Sequence, residues 1–292
     1  MRVLLAAVFV LFVSAAISAQ TPLVITTEPN AIIWIDEIRR GTTDASGKLS
    51  VAKLSPGRHT VRVRANGFKE TSVALAPGRR NIAVKLVPTT DQAELLFQQA
   101  ETAREKARDD EARQKAADLY REAIKARSAF PAAHVGLARV LMDLNEFKEA
   151  HTHIDAARRT RPSYAEASAV EGRIYREEAF DSDAIRSFNR AIREGRGVQP
   201  EAFVGLAKLY EDKGEFAQAV AEYRKALAQL SDSEPVIYQM LGAAYERVEK
   251  PKEAVAAYEK YLQLAPNGSY AAAIRSIIDQ LKREAAGEQI IP

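Results

Sequence analysis

The sequence predicts an α+β multidomain chain: a small antiparallel β-sandwich followed by an all-α solenoid of about four to five helical hairpins and a capping helix. Three observations carry this. Apolar residues alternate at strand period through the front of the chain, the period becomes helical from Asp91, and a block of 34–35 residues recurs from Pro131. At 292 residues, 47% hydrophobic and 28% charged, the chain is long enough for two folded modules.

Residues 1–19, MRVLLAAVFVLFVSAAISA, place one Arg before an apolar run and small residues, the layout of a secretory signal peptide cut between Ala19 and Gln20. The competing reading is an N-terminal membrane anchor, for which the run falls short of the roughly 20 residues that span a bilayer. The expected location is the periplasm or cell surface. There is no cysteine, which excludes disulfides, thiolate metal sites and lipid attachment through a thiol.

The net charge of +3 hides an asymmetry. Residues 20–90 carry eleven Lys/Arg against five Asp/Glu, whereas residues 91–292 carry thirty against thirty-four. A basic exported front module suits anionic envelope polymers or lipid head groups more than nucleic acid.

In residues 21–90 the alternating sets are Leu23 and Ile25; Ala31, Ile33 and Ile35; Val61 and Val63; and Ile82, Val84 and Leu86. Turn signals separate them at Pro29-Asn30, Ala45-Ser46-Gly47, Pro56-Gly57, Asn66-Gly67 and Pro77-Gly78, a spacing that suits a small sandwich. Arg58, Arg62 and Arg64 fall on one side of a strand, joined by Lys85 or by Arg79 and Arg80. They are either a solvated face or a patch for an anionic polymer. The only Trp, Trp34, lies opposite Ala31, Ile33 and Ile35; it either packs against a neighbouring element or is exposed for stacking on a sugar or a partner.

The stretch TTEPNAIIWIDEIRRGTT resembles the opening of a PEGA domain, in which P-x-G-A precedes a strand ending in Asp-Gly and then a Gly-Thr-Pro turn. Pro29-Asn30-Ala31, Ile35-Asp36-Glu37 and Gly41-Thr42 occupy those places. Asn30 stands where that family has Gly, Glu37 replaces the Gly after Asp36, and no Pro follows Thr42. The next piece, GTTDASGKLSVAKLSPGRHTVRVRANGF, is also similar to carboxypeptidase regulatory-like domains. Both resemblances imply a β-sandwich without catalytic residues.

Residues 91–130 read as leading helices or as a degenerate hairpin, residues 131–268 as four repeats, 269–284 as the capping helix and 285–292 as a tail. The repeats begin at Pro131, Ala165, Pro200 and Pro235. This segment resembles the tetratricopeptide repeat (TPR) family. Its Leu-Gly pair is matched by Leu137-Ala138, Glu171-Gly172, Leu206-Ala207 and Leu241-Gly242. The small residue of the second helix is Ala150, Ala184, Ala219 and Ala254, and the large one is Ile154, Phe188, Tyr223 and Tyr258. Small residues let two helices approach and large ones fill the gap to the next repeat. Glu171 in place of Leu, and Tyr261 in place of a small residue, suggest locally looser packing.

The resemblance implies a concave groove, lined by the first helices, that binds a partner peptide or helix. Residues Arg139, Arg173, Arg176 and Lys208 fall at groove positions, a ladder suited to an acidic segment or a terminal carboxylate. Glu101, Glu166, Glu201, Glu211 and Glu246 lie near the same groove and either neutralise the ladder or leave it open.

The four histidines lack metal-ligand spacing, and no nucleophile elbow, P-loop or dinucleotide glycine pattern occurs. The expectation is a non-enzymatic adaptor with no cofactor or metal, whose TPR groove binds a protein partner while the sandwich docks at the cell envelope. The alternative is an envelope-polymer or carbohydrate-binding protein that uses Trp34, Arg58, Arg62 and Arg64, with the repeats as spacer or oligomerisation arm.

Overall fold

The computed structural model describes residues 22–52, 54, 57–230 and 232–285; the expected leader 1–19 and the tail after residue 285 lie outside them. Among the described residues are seven strands and eleven helices. The strands are β1 Leu23–Thr26, β2 Ile32–Ile35, β3 Ile38–Thr42, β4 Lys48–Val51, β5 His59–Arg64, β6 Thr71–Leu75 and β7 Asn81–Ala83. The helices form five pairs: α1 Gln92–Lys106 with α2 Asp110–Ala126, α3 Pro131–Asp143 with α4 Phe147–Thr160, α5 Ala165–Glu177 with α6 Asp181–Glu194, α7 Pro200–Asp212 with α8 Phe216–Leu230, and α9 Pro235–Arg247 with α10 Pro251–Leu264. Helix α11, Ala271–Ala285, closes the series.

The strands form two sheets, β4-β1-β7 and β3-β2-β5-β6. Leu23 and Ile25 from one sheet meet Ile33, Ile35, Val61, Val63 and Leu75 from the other in one buried core, so alternation does specify the inner faces. One pair departs from the antiparallel expectation. β7 returns to the first sheet and runs parallel to β1, with Ile25 opposite Ile82.

The helical pairs show why the repeat has its composition. Ala150, Ala184, Ala219 and Ala254 are fully buried, as are Tyr120, Phe188, Tyr223 and Tyr258 on the second helices of their pairs. Glycine makes the notch for three of these rings: a Cβ at Gly136 would lie 2.4 Å from Tyr120, one at Gly205 2.3 Å from Phe188 and one at Gly242 2.5 Å from Tyr258. The turn inside each repeat is also repeated. Asn145, Ala179, Gly214 and Glu249 adopt positive φ, and the residue after each donates its N–H back to Leu141, Tyr175, Tyr210 and Tyr245 respectively. This Schellman closure satisfies helix carbonyls that would otherwise lack a donor.

Two sequence departures are resolved differently from the expectation of looser packing. Glu171 is held by Arg158 through both carboxylate oxygens, at 2.5 and 2.8 Å, and by the Ser187 hydroxyl at 2.8 Å. Ser168 accepts from Arg158 and donates to Glu194, so a polar network replaces the Leu, with the buried Arg158 Nε left without a hydrogen-bond partner among the described residues. Tyr261 is buried with Ile274, Ile278 and Leu281 of the capping helix, filling a seam instead of loosening one.

Candidate functional site

The sandwich packs onto the concave side of the helical array, and the two modules wall a cavity of about 670 Å³. The sandwich contributes Trp34, Glu37, Ile38, Arg39 and Arg62; the helices contribute Tyr164, Arg173, Arg176, Val204, Lys208 and Met240, among others.

The attachment at α1 is a polar and aromatic seam. Arg64, expected on an outward basic face, is instead 7% exposed. Its guanidinium reaches Glu70 at 2.8 Å and Glu101 at 3.4 Å, and lies 5.0 Å from the Trp34 ring centroid and 4.7 Å from that of Phe97. Strand alternation correctly separates Arg64 from the sandwich core, but a second module covers the face it lies on. Glu101 also accepts from the Tyr120 hydroxyl; although burial raises its pKa, Arg104 and Arg64 more than offset this and hold the carboxyl below its ordinary range. Gln98 completes the seam, accepting from the Gly67 N–H and donating to the Phe68 carbonyl, each at 2.8 Å.

Arg62 lies 4.2 Å from the Trp34 ring centroid and pairs with Glu37 at 2.9 Å and Glu70 at 3.4 Å. Trp34 is therefore half-buried at the cavity wall. Arg58 is exposed and is not part of this group; Arg79, Arg80 and Lys85 are exposed as well. The structure thus brings Trp34, Arg62 and Arg64 together facing the helices and leaves Arg58 outside.

On the helical side Arg139, Arg173, Arg176 and Lys208 all line the cavity. They are not equivalent. Arg139 grips Glu201 with two guanidinium nitrogens at 2.7 and 2.8 Å and also reaches Glu166 at 3.2 Å; Arg173 reaches Glu201 at 3.2 Å. Burial pushes the Glu201 carboxyl up, but Arg139 and Arg173 outweigh it and bring its pKa down to about 2. These two arginines are therefore neutralised within the wall. Arg176 pairs with Glu177 at 2.5 Å and, more distantly, with Asp212 at 3.8 Å. For Lys208, no carboxylate among the described residues lies within 4.0 Å. Burial and the neighbouring Arg176 and Arg173 lower its pKa by more than the more distant Glu211 and Glu177 raise it, so its charge is only partly compensated.

The hydroxyls of Tyr223 and Tyr258 bind Glu211 and Glu246, which explains why these two groove acids are committed to their own repeats. Elsewhere, His134 and His153 place their Nδ1 atoms 2.9 Å apart. No group of three or more His, Cys, Asp or Glu residues able to hold a metal occurs among the described residues. No described helix is long and apolar enough to cross a membrane.

A series of stacked helical hairpins with a ligand-sized hollow on its inner side defines a repeat scaffold. Two segments match family models described as tetratricopeptide repeat, residues 107–174 and 199–267, and the helical region is a TPR array. No curated protein matches the chain. Among solved structures, it is similar to TTC0263, a thermophilic TPR protein of Thermus thermophilus, at 20% identity and a TM-score of 0.54, covering 65% of this chain and 98% of that one. It is also similar to PilF of Pseudomonas aeruginosa at 17% identity and a TM-score of 0.56, covering 68% and 85%. The Cut9–Hcn1 assembly of the APC/C gives 13% identity and a TM-score of 0.54 over 65% of this chain and 36% of that one. At these identities the likeness shows the fold alone.

Proposed function

We propose that this protein is an exported, non-enzymatic adaptor whose TPR groove binds an extended acidic segment of a partner protein. The observation that carries this is the Lys208 ammonium, half-buried beside Arg173 and Arg176 on the cavity wall with no carboxylate of the described residues in ion-pair contact. An incoming carboxylate supplies the missing countercharge, and Arg176 offers planar donors beside it. Apolar side chains of the same segment rest on Val204, Ile237 and Met240. The cavity volume lies within the usual range for small-ligand clefts.

Export rests on the character of residues 1–19, and the sandwich, PEGA-like in its PNA opening, is the end that meets the envelope. With Trp34, Arg62 and Arg64 turned toward the helices, Arg58, Arg79, Arg80 and Lys85 are among the exposed cations left for anionic envelope polymer or lipid head groups. The experiment is fluorescence anisotropy with labelled peptides of alternating Glu/Leu, Gln/Leu and Lys/Leu. Selective binding of the Glu/Leu peptide, lost in Arg176→Glu, supports the reading. Equal binding of all three rules it out.

A further inference from the structure

Ile38 belongs to the sandwich in sequence but not to its core. It is 5% exposed and is buried in the same apolar cluster as Phe203, Leu230, Ile237 and Leu241 of α7 to α9. Its two neighbours reach opposite walls of the groove: Arg39 pairs with Glu105 of α1 at 2.9 Å, and Arg40 donates to the Gln229 carbonyl of α8 at 3.0 Å. Three consecutive residues of edge strand β3 thus reach from the first helical pair to the fourth and fifth. Covering an edge strand with helices and arming it with arginines also keeps it from pairing with another chain.

The two attachments differ in kind. At α1 the sandwich is tied by Arg64, Gln98, Phe97 and a short connection, so this end is a fixed hinge. At α8 and α9 the tie runs through the Ile38 side chain and through Arg40, whose guanidinium donates to the Gln229 carbonyl, with no aromatic stacking and no side-chain amide bridge among the described residues like those at α1. The tip between β2 and β3 is braced on its own module: Asp36 and Glu37 hold φ of 52° and 64°, with Asp36 accepting from the Thr60 N–H and Glu37 paired with Arg62. The hairpin is preformed whether or not it is docked, as a latch requires.

We infer that the β2–β3 hairpin is a self-supplied, releasable occupant of the distal groove, which closes the cavity by seating Ile38 and Arg40 on α8 and α9 and opens it by swinging about the α1 seam. This rests on the proposed function only in that the cavity is the ligand site. Burying one Ile side chain weights shut over open by roughly 10- to 100-fold, a range that a ligand can overcome.

The test is hydrogen exchange on the full chain, comparing wild type with Ile38→Asp and with Arg39→Glu, alongside association rates of the Glu/Leu peptide. Ile38→Asp is expected to lower protection at the hairpin and in α9 by about tenfold or more, while β1, β5 and α3 to α6 keep theirs and the peptide associates faster. Arg39→Glu is expected to do the same more weakly, and Glu105→Arg in the same chain to restore protection. Unchanged protection in α9, or loss spread through the whole sandwich, overturns the latch. If the Glu/Leu peptide binds neither wild type nor variant, the proposed ligand falls, and the exchange pattern still decides the latch.

Discussion

Arg139 and Glu201 meet across two repeats, with the guanidinium presenting two nitrogens to the two carboxylate oxygens at 2.7 and 2.8 Å. The pair ties α3 to α7 past α5 on the cavity side. Removing Arg139 leaves the Glu201 charge with Arg173 alone, and removing Glu201 leaves Arg139 with Glu166 alone. Arg139→Met is expected to cost about 3 kcal/mol in urea denaturation, and Arg139→Met with Glu201→Gln to recover part of that loss.

The same pair fixes the acid limb of stability. Because Arg139 and Arg173 depress the Glu201 pKa from 4.5 to about 2, the stabilisation is complete above pH 4.5 and is lost as the pH falls toward 2. Glu101 and Glu171, also lowered by arginine partners against the effect of burial, add in the same direction. Glu201→Gln is expected to flatten this limb in urea midpoints measured across that range.

The histidine pair acts at higher pH. Burial lowers the pKa of both His134 and His153; Arg159 adds to this at His134, and the facing His134 adds to it at His153. A depressed histidine favours the neutral folded form, so the unfolded chain takes up more protons below 6.5 and stability falls as the pH drops through that value. Melting temperature is expected to fall from neutral pH to about pH 5.5, and less steeply in His153→Gln.

Gly205 is required by the Phe188 ring rather than by its own backbone. With a Cβ placed 2.3 Å from that ring, Gly205→Ala must push a fully buried side chain out of its notch. The expected cost is about 1–3 kcal/mol. Combining it with Phe188→Leu is expected to cost less than the sum of the two changes, as denaturation of the single and double variants will report.

Glu37 adopts positive φ where the PEGA-like pattern has Gly, and its carboxylate holds Arg62 at the cavity wall. Glu37→Gly is expected to relieve the backbone and stabilise the sandwich by about 0.5–1 kcal/mol. The same change frees Arg62 from one of its two acids, a shift visible in Trp34 fluorescence because the guanidinium stacks on that ring.

The repeat register was legible because each position recurs under the same packing demand. The helices starting at Pro131, Ala165, Pro200 and Pro235 begin where the aligned blocks begin. Strands β3, β4 and β6 were not legible: Arg39-Arg40, Lys48 and Thr71-Ser72 break the alternation that marks a half-buried strand. Alternation also cannot say what covers the outer face of a sheet, so Arg64 read as a surface residue while its partners lie in α1. The four groove cations were legible as a set, but which of them is neutralised depends on Glu201 reaching back across two repeats, a contact that follows from superhelical pitch and not from spacing.

The most direct measurement of the central claim is a titration of the Glu/Leu peptide followed by the fluorescence of Trp34, the only tryptophan and part of the cavity wall, in wild type and in Lys208→Glu. The expected result is saturable binding to the wild type that weakens as the pH is raised, since a bound carboxylate favours the charged lysine, and at least about tenfold weaker binding to the variant. Binding that is indifferent to the charge at residue 208 would contradict the account.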